Sequence, residues 1–448
     1  MVPQAVRGGA VAIVSGFPLK SAVPVIVVRD TRGALARLSC AFWGFPSRRL
    51  DVVGITGTNG KTTTAFMAES ILACAGVPTG MVGTIRYSFH NREFPHVHTT
   101  PEAHELQQLM AVMLERGARA LVMEVSSHSL AMKRVEGTAF RAGVFTNLTR
   151  DHLDFHRTMA KYFEAKALLF ESLPGAPEGG VAVLNWDNRE GRILAGRTRA
   201  RILPFSAAGR NAGKIRGALR ASRVRASASG TRFILHEDDQ AVAVNLPMLG
   251  AHNVANALSA AGASRALGAE LNDIARGLAI LKAVPGRLER IRLGAPFTVV
   301  VDYAHTPDAL ERVLIALRPL ARRRLTVVFG CGGNRDATKR PIMGRIAAER
   351  ADFSWITSDN PRYEDPGAII REITAGIRRS GRHMVEPDRR QAIRAALSNA
   401  RAGDIILLAG KGHEQSQVVA GRSLPFLDSA VAREEWAGIS GKPAGARA

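Results

Sequence analysis

Short apolar runs rich in β-branched residues alternate with amphipathic stretches along nearly the whole chain, and this alternation constrains the fold more than any other feature. Strands buried on both faces of a parallel sheet have such continuous apolar runs, and helices connect them. The runs expected to form strands are LDVVGIT, ALVMEVS, AGVFTN and VAVLN, followed later by FTVVVDYA, LTVVFGC, FSWITSD and DIILLAG. The sequence therefore predicts an α/β protein with mostly parallel sheets.

The chain is long enough for more than one domain. Its 448 residues exceed what one hydrophobic core usually supports, so two or three domains are expected. A helix-like segment, 252–267, separates the two groups of predicted strands, and the Pro-Gly pair in AVPGRLERI interrupts the chain soon afterwards. The first part of the chain has only two short predicted strands, in GGAVAIV and VPVIVV. We therefore divide the chain into the segments 1–47, 48–284 and 285–448.

The composition indicates a globular protein of a reducing compartment. Hydrophobic residues make up 46% of the chain and charged residues 22%, and no apolar run approaches the roughly 18 residues of a membrane span. No long apolar stretch typical of a signal peptide begins the sequence. Cys40, Cys74 and Cys331 lie far apart without a metal-binding or redox spacing. We therefore expect a cytoplasmic protein without a membrane span.

The formal net charge of +22 permits two interpretations. Lysine and arginine that neutralise phosphates give a sequence-independent affinity for nucleic acid. However, the densest basic stretch, 209–227, lacks interleaved aromatic residues and any nucleic-acid-binding motif. We therefore favour a solvated basic surface that helps to attract anionic substrates, with no nucleic-acid partner. The surrounding Ala/Gly/Ser-rich stretch, 206–230, is expected to form a loop or a hairpin.

The stretch GITGTNGKTTT combines the elements of a phosphate-binding loop. A predicted strand leads to Gly57 and Gly60, whose missing side chains let backbone N–H groups close around phosphate oxygens. A helix is expected to begin near Lys61, and its N-terminus favours an anion. Lys61 can reach the β- and γ-phosphates, and the hydroxyl of Thr62 can bind Mg²⁺. The spacing departs from a strict GxxxxGK[ST], and a Gly/Thr-rich turn without a ligand is the alternative.

Polar side chains follow two further predicted strands. Glu124 ends the strand in ALVMEVSSHSL, where a second Mg²⁺ ligand belongs in an open α/β sheet. A carboxylate that caps a helix is the alternative there. The segment FTNLTRDHLDFH places six polar or titratable residues close to one strand end, a density that indicates a site rather than a core. These six residues are Asn147, Arg150, Asp151, His152, Asp154 and His156.

One lysine lies on an otherwise apolar helix face. In KYFEAKALLFESL, Lys166 shares its face with Phe163, Leu169 and Phe170. A buried lysine is costly as a cation, so it should be paired, neutralised or chemically modified. Taken by itself, the pattern indicates a surface lysine whose alkyl stem covers apolar neighbours while its amine reaches water.

A series of ordered motifs resembles one known family over nearly the whole chain. The motifs are TGTNGKTTT, TTPEA, MEVSSHSL, TNLTRDHLDFH, YFEAKALLF, GAHNVANAL, VPGRLERI, VDYAHTPDAL, FGCGGNRDATKRPIMG, SDNPRYEDP and AGKGHEQ. They resemble those of the Mur ligases, ATP-dependent amino-acid-adding enzymes of peptidoglycan precursor synthesis, and among these the E-type. The resemblance implies three domains: an incomplete N-terminal UDP-binding domain, a central phosphate-loop ATPase domain, and a C-terminal Rossmann-like domain that binds the amino acid.

The resemblance implies roles for the nucleotide-binding and metal-binding residues. Lys166 matches a lysine that the family converts with CO₂ to a carbamate, which is an anion able to hold Mg²⁺. The implied metal ligands are Thr62, Glu124, His152 and Lys166, and the implied catalytic residues are Lys61, Glu124, His152 and Lys166. The implied ATP-binding residues are Gly57, Thr58, Asn59, Gly60, Lys61, Thr62, Thr63, Asn253, Arg287, Asp302 and Tyr303. Arg287 and Asp302 would come from the third domain when it closes.

The resemblance also implies two substrate sites. The UDP-muramoyl dipeptide would bind to Thr99, Thr100, Ser126 and Arg134, although Met132 stands where the family has a glutamine. The added amino acid would bind to Arg335, Asp359, Asn360, Pro361, Arg362, Gly410 and Glu414. Two arginine forks suit carboxylates and Glu414 suits an ammonium group. Family members that add L-lysine lack the arginine that Arg362 matches, so DNPR indicates meso-diaminopimelate; a proline turn with an exposed arginine is the alternative.

The chemistry implied is activation of a carboxylate. ATP would phosphorylate the γ-carboxylate of the D-glutamate residue, and the amine of diaminopimelate would attack the resulting acyl phosphate. Two alternatives remain. One is a ligase with an acceptor that lacks UDP, as in folylpolyglutamate synthetases, and the other is a non-catalytic binding protein. A complete set of Lys61, Glu124, His152 and Lys166 favours a catalyst.

The beginning of the chain matches only the later part of the family's N-terminal domain. QAVRGGAVAIV resembles that part, and the resemblance places Met1 inside the domain. We therefore expect a fragment or a mispredicted start codon in preference to a true variant with altered nucleotide-sugar binding. Two strands without the rest of their sheet should expose an edge and apolar surface, which predicts low solubility or binding to another chain. The protein itself is expected to be a monomer.

Overall fold

The computed structural model describes residues 2–175, 177, 179–208, 215–227, 229–378 and 382–441. The helices are α1 (Val2–Arg7), α2 (Thr31–Phe42), α3 (Lys61–Cys74), α4 (Ala103–Glu115), α5 (Ser127–Ala131), α6 (Leu153–His156), α7 (Met159–Glu171), α8 (Arg189–Ala195), α9 (His252–Ala266), α10 (Leu271–Ile280), α11 (Pro307–Leu317), α12 (Lys339–Arg350), α13 (Pro366–Thr374), α14 (Arg389–Ser398) and α15 (Asp428–Ser440).

The strands alternate with these helices along much of the chain. They are β1 (Ile13–Ser15), β2 (Val25–Val27), β3 (Asp51–Thr56), β4 (Thr79–Val82), β5 (Tyr87–Phe89), β6 (Arg92–Phe94), β7 (Ala120–Glu124), β8 (Phe140–Phe145), β9 (Val181–Asn185), β10 (Arg201–Ser206), β11 (Leu219–Ser227), β12 (Gly230–Glu237), β13 (Gln240–Leu246), β14 (Glu289–Ile291), β15 (Thr298–Asp302), β16 (Leu325–Phe329), β17 (Phe353–Ile356), β18 (His383–Val385), β19 (Ile405–Ala409), β20 (Ser416–Val419) and β21 (Arg422–Pro425).

The larger sheet has eleven strands in the order β13-β12-β11-β10-β9-β8-β3-β7-β4-β5-β6. Strands β4, β7, β3, β8, β9 and β10 pair in parallel, whereas β5 and β6 add antiparallel. The four apolar runs predicted in this part are β3, β7, β8 and β9, and β7 and β9 are buried along their whole length. The prediction of a mostly parallel sheet is therefore confirmed here.

A second sheet has six strands in the order β14-β15-β19-β16-β17-β18. Only the edge pair β14–β15 is antiparallel. The four apolar runs predicted in this part are β15, β16, β17 and β19, and helices α11 to α13 contribute apolar side chains to the core beside the sheet. An α/β fold is thus confirmed in both parts of the chain.

The chain divides into two compact units. The first unit contains the residues up to Ser222 together with Ile234–Val244 and Ala255–Leu278, and the second contains Arg223–Phe233, Asn245–Val254 and the residues from Ala279 onwards. In the first unit β1 and β2 form a separate two-stranded parallel sheet. Val11, Phe17 and Phe42 are exposed nearby, as expected for this part of the chain.

Of the basic stretch 209–227, the residues 209–214 lie outside the described part of the chain, and the following residues contribute β11, which neighbours β12. Among the described residues, no helix combines the length and the apolar character required to cross a bilayer.

Candidate functional site

The phosphate loop lies between the end of β3 and the start of α3. Gly57 has a φ of 146°, and a Cβ there would lie 1.9 Å from Thr146 Oγ1, so only glycine fits. Helix α3 begins at Lys61, as predicted, and its N-cap is Gly60 in the left-handed region. The N–H groups of the first turn therefore lie beside the loop, in the arrangement that binds phosphate.

Contacts with the end of β8 fix the shape of this loop. The backbone N–H of Asn59 donates to Asn147 Oδ1 at 3.0 Å, and the amide of Asn147 donates back to the carbonyl of Asn59 at 3.0 Å. Lys61 Nζ donates to the carbonyls of Gly57 and Thr58, at 3.0 Å each. The lysine amine therefore lies inside the curve of the loop, where phosphate oxygens would be held.

Glu124 lies beside the loop and is buried at the end of β7. Its Oε2 accepts hydrogen bonds from the hydroxyls of Thr62, at 3.0 Å, and Thr84, at 3.1 Å. Its Oε1 accepts from the backbone N–H of Thr84 at 2.8 Å. The alternative of a helix-capping carboxylate is wrong, because the side chain of Ser126 caps α5. Thr84 is a site residue that the sequence analysis missed.

Lys166 is buried in α7, with only 1% of its surface exposed. Its Nζ donates to the carbonyl of Gly57 at 2.9 Å and lies 4.5 Å from the centre of the Tyr162 ring. Burial and the nearby charge of Lys61 hold the pKa of Lys166 well below its usual value. The interpretation of Lys166 as a surface lysine is therefore wrong, because its amine is buried against the phosphate loop.

His152 precedes α6 in a left-handed conformation, with a φ of 53°. Its ring meets that of His128 edge-on at 4.9 Å, and its Nε2 lies 3.6 Å from Asp151 Oδ2. Burial lowers the pKa of His152, Asp151 opposes this shift, and Lys61 and His128 add to it. A neutral imidazole is the form that binds metal ions.

The predicted metal ligands are only partly in contact. Across the described ranges, no three His, Cys, Asp or Glu side chains cluster as a metal site. Of the predicted set, Thr62 and Glu124 touch directly at 3.0 Å. Mg²⁺ is usually bound through one or two protein oxygens together with substrate phosphates. A hydroxyl and a carboxylate side by side at a phosphate loop therefore fit Mg²⁺.

The structure brings together the four residues predicted for the precursor site. Thr100 Oγ1 donates to the carbonyl of Glu124 at 2.8 Å and accepts from the N–H of Ser126 at 3.2 Å. Arg134 donates to the carbonyl of Thr100 at 3.0 Å. The hydroxyl of Thr99 lies 3.1 Å from that of Thr84, which touches Glu124. A continuous hydrogen-bonded network thus joins this site to the phosphate loop.

Three predicted nucleotide-binding residues lie together in the second unit. Asp302 ends β15, and its carboxylate accepts from the backbone N–H groups of Leu288, at 2.7 Å, and Ala304, at 2.8 Å. Burial raises the pKa of Asp302, and the charge of Arg287 opposes this shift. The guanidinium of Arg287 lies over the ring of Tyr303, 4.7 Å from its centre. Arg287 is therefore held by stacking beside Asp302.

The segment DNPR contacts two other segments of the second unit. Arg362 has a φ of 54° and donates to the carbonyl of Gly333 at 2.7 Å. The amide of Asn360 donates to Glu414 Oε2 at 2.7 Å, and Asp359 is buried beside them. Burial raises the pKa of Asp359. Arg362 is only partly exposed, which disfavours the alternative of a turn with an exposed arginine.

Five predicted residues have simpler surroundings. Thr63 is buried in the first turn of α3, and Asn253 is buried near the start of α9, where its amide donates to a backbone carbonyl at 2.7 Å. Pro361 is buried and Gly410 directly follows β19, whereas Arg335 is exposed. In the predicted amino-acid site Arg335 is thus exposed, whereas Asn360 and Arg362 are fixed by hydrogen bonds within the protein.

Two family models match the chain. The description "Mur ligase middle domain" matches residues 55–264, and "Mur ligase, glutamate ligase domain" matches residues 286–412. A protein of Solibacter usitatus (strain Ellin6076), named UDP-N-acetylmuramoyl-L-alanyl-D-glutamate--2,6-diaminopimelate ligase, is 47% identical over 96% of this chain and 86% of its own length. A protein of Geobacillus kaustophilus (strain HTA426) with the same name is 44% identical over 96% of this chain and 88% of its own length.

A solved structure extends the similarity to the fold. A structure titled as a UDP-N-acetylmuramoyl-L-alanyl-D-glutamate--2,6-diaminopimelate ligase superimposes with a TM-score of 0.71 and 34% identity, over 98% of this chain and 89% of the other. These similarities cover both sheets and the segments that supply the predicted site residues.

Proposed function

The chain belongs to the Mur ligase family, and from this premise we propose that it adds meso-diaminopimelate to UDP-N-acetylmuramoyl-L-alanyl-D-glutamate. The protein is an ATP-dependent ligase of peptidoglycan precursor synthesis, as its relatives with 42–47% identity indicate. The observation that best supports the chemistry is the convergence of two lysine amines on one carbonyl. Lys61 and Lys166 both donate to Gly57, beside Thr62 and Glu124.

The first step that we propose transfers the γ-phosphoryl group of ATP to the γ-carboxylate of the D-glutamate residue. The N–H groups at the start of α3 and the amine of Lys61 hold the charge that develops on the phosphoryl oxygens. Thr62 and Glu124 would hold Mg²⁺, which would supply positive charge to offset the charge of the phosphate groups. Thr99, Thr100, Ser126 and Arg134 orient the precursor so that its carboxylate meets the phosphate.

The second step forms the amide bond. The neutral amine of diaminopimelate attacks the acyl carbon, and the C–O bond to phosphate breaks, so that phosphate leaves with the bonding electron pair. The nitrogen gives up one proton as the amide forms, and the departing phosphate or water takes it. In our proposal Arg335 and Arg362 bind the carboxylate at the far end of diaminopimelate, and Glu414 accepts from its ammonium group. Arg362 distinguishes diaminopimelate from L-lysine, which has no second carboxylate.

Lys166 is the proposed site of a carbamate. Only a neutral amine can attack CO₂, and burial together with the charge of Lys61 lowers the pKa of this amine, which favours its neutral form. Its position against Gly57 would place the new carboxylate beside the phosphate loop, where His152 and Glu124 are the other proposed metal ligands. The modification would also turn a buried amine into an anion next to the cation of Lys61.

The segments 1–47, 48–284 and 285–448 are proposed as the UDP-binding, ATP-binding and amino-acid-binding domains. Asn253, Arg287, Asp302 and Tyr303 are the proposed nucleotide contacts outside the phosphate loop. We propose that the protein acts as a monomer in the cytoplasm, where ATP and nucleotide-linked precursors are available. Its substrates are small molecules.

Phosphate release by the purified chain tests this function. The assay contains ATP, Mg²⁺, bicarbonate and UDP-N-acetylmuramoyl-L-alanyl-D-glutamate, with meso-diaminopimelate or L-lysine as the amine. We expect release that requires both the dipeptide and diaminopimelate, with formation of the tripeptide product detected by mass spectrometry. Equal release with L-lysine would overturn the proposed amine, and no release with either amine would overturn the proposed activity of this chain.

A further inference from the structure

We propose that Lys411 is a positioning residue that sets the carboxylate of Glu414 and the amide of Asn360 for the amino group of the added amino acid. Lys411 follows β19 in the segment AGKGHEQ and was not among the residues predicted from the sequence. The inference rests on the proposed function and extends it to a residue that does not itself touch the substrate.

All three N–H donors of the Lys411 amine have acceptors within the protein. The side chain is 0% exposed, and Nζ donates to the carbonyl of Ser416 at 2.7 Å, to Glu414 Oε2 at 3.0 Å and to Asn360 Oδ1 at 3.2 Å. An ammonium group has three N–H donors, and each has an acceptor here. Lys411 therefore has no donor left for a ligand, and its effect must pass through its partners.

Glu414 has one oxygen held and one oxygen available. Its Oε2 accepts from both Lys411 and Asn360, at 3.0 and 2.7 Å. Within the part of the chain that the structure describes, Oε1 accepts no hydrogen bond, and 31% of the side chain is exposed. Two donors on one oxygen fix the carboxylate plane, so Oε1 has a defined direction in which to accept from an ammonium group.

Lys411 also determines the orientation of the Asn360 amide. Oδ1 accepts from Lys411 and from the backbone N–H of Val418, the latter at 2.9 Å, while the amide nitrogen donates to Glu414. Both Lys411 and the N–H of Val418 can only donate, so the oxygen of Asn360 must face them. Val418 belongs to β20, and this strand also binds the end of the DNPR segment, because the N–H of Arg362 donates to the carbonyl of Val418 at 2.9 Å.

A purely structural ion pair is the competing explanation, since a buried lysine needs acceptors wherever it lies. The two explanations predict different kinetics. A structural pair, when broken, lowers stability or the amount of active protein, which reduces turnover with all substrates alike. A positioning residue, when replaced, weakens the binding of one substrate, the amine, and has little effect on the KM values for ATP and the dipeptide.

The test compares Lys411→Met, Lys411→Gln, Glu414→Gln and the double variant Lys411→Met/Glu414→Gln in the full chain. Lys161→Met serves as the control, because Lys161 is an exposed lysine on α7 outside the proposed sites. KM and kcat are measured for each substrate, and Tm is measured for each variant. The glutamine in Lys411→Gln can still donate a hydrogen bond to the carbonyl of Ser416 but carries no charge. If Lys411→Met does not fold, the kinetics of Lys411→Gln test the inference.

We expect the KM for diaminopimelate to rise about tenfold to a hundredfold in the Lys411 variants, with kcat at saturating amine within about threefold of the unchanged chain. In the double variant the two effects should not multiply, because Lys411 acts through Glu414. Equal changes in all three KM values, an unchanged KM for the amine, or multiplied effects in the double variant would overturn the inference. If the wild-type protein shows no ligase activity with the dipeptide and diaminopimelate, the proposed function is overturned instead.

Discussion

Lys166 Nζ donates a 2.9 Å hydrogen bond to the carbonyl oxygen of Gly57, so a buried amine of α7 lies directly against the phosphate loop. Lys61 donates to the same carbonyl at 3.0 Å. Two lysines that share one acceptor repel each other when both are charged. Loss of the Lys166 proton would relieve this repulsion, and in our proposal it prepares the amine for reaction with CO₂.

Replacement of Lys166 by methionine should separate activity from stability. We expect kcat to fall at least about a hundredfold, because the proposed metal ligand is lost. The Tm near neutral pH should be equal to that of the unchanged chain or above it, because a buried amine is exchanged for an apolar side chain of similar length. Lys161→Met, on the exposed side of the same helix, should change neither quantity.

The pH dependence of this stability has a definite sign. The pKa of Lys166 is lower in the folded chain than in the unfolded chain, so between the two values only the unfolded chain binds the proton. The free energy of unfolding should therefore rise with pH in that window, up to the unfolded pKa of about 10.4. Thermal unfolding of the unchanged chain and Lys166→Met, measured at several pH values, should show a smaller rise for the variant. Parallel curves would contradict a lowered pKa.

The contact between Thr62 and Glu124 predicts a dependence on Mg²⁺. Thr62→Ala and Glu124→Gln should each lower kcat by about a hundredfold or more and raise the Mg²⁺ concentration for half-maximal activity. Glu115→Gln is the matched control, because Glu115 is exposed at the end of α4. The measurement is phosphate release as a function of Mg²⁺ concentration. A variant with an unchanged Mg²⁺ requirement would exclude its residue as a ligand.

Arg362 should determine the choice of amine. Lysine cannot reproduce the two parallel hydrogen bonds of a guanidinium to a carboxylate, so Arg362→Lys should raise the KM for diaminopimelate by about tenfold to a hundredfold. Weak turnover of L-lysine, which has no second carboxylate, should not fall. Arg422→Lys, at an exposed position in β21, should leave both amines unaffected. An equal loss of activity with diaminopimelate and with L-lysine would show that Arg362 does not bind the second carboxylate.

The second unit contains a buried ion pair that should be important for its stability. Arg389 Nη2 donates to Asp428 Oδ2 at 2.6 Å, both side chains are 0% exposed, and the same nitrogen donates to the carbonyl of Ala409 at 2.9 Å. Arg389→Leu leaves an unpaired buried carboxylate and should cost about 3–5 kcal/mol of unfolding free energy.

Two further variants check this cost by chemical denaturation. Arg345→Leu breaks an exposed pair with Glu349, at 3.0 Å, and should cost less than about 1 kcal/mol. The double variant Arg389→Leu/Asp428→Leu should recover much of the loss, because apolar pairs can replace buried ion pairs. A double variant that is less stable than Arg389→Leu would contradict this account.

The local sequence predicted the main strands of the two sheets. It also predicted those parts of the site that lie where a single strand ends, such as the phosphate loop after β3. The runs around β3 and β7, and the start of α3 at Lys61, follow from apolar patterning and from glycines. These features are visible in a short window because each depends on neighbours in the chain.

The residues that the sequence analysis missed depend on distant neighbours. Thr84 follows β4, and only the pairing of β4 with β7 brings it to Glu124. Lys411 lies in a glycine-rich segment typical of an exposed loop, and its burial follows from contacts with Asn360, 51 positions earlier. The burial of Lys166 likewise depends on Gly57 from another element. The apolar pattern gives the face of a helix, but it does not show what packs against that face.

The most direct test of the account follows the oxygen atoms of the substrate. With UDP-N-acetylmuramoyl-L-alanyl-D-glutamate labelled with ¹⁸O in the γ-carboxylate, the reaction with ATP and meso-diaminopimelate is run to completion and the released phosphate is analysed by mass spectrometry. An acyl phosphate predicts that one ¹⁸O atom moves into phosphate for each amide bond formed, because the C–O bond breaks when the amine attacks. Phosphate without ¹⁸O, together with product formation, would contradict transfer of the γ-phosphoryl group to the carboxylate.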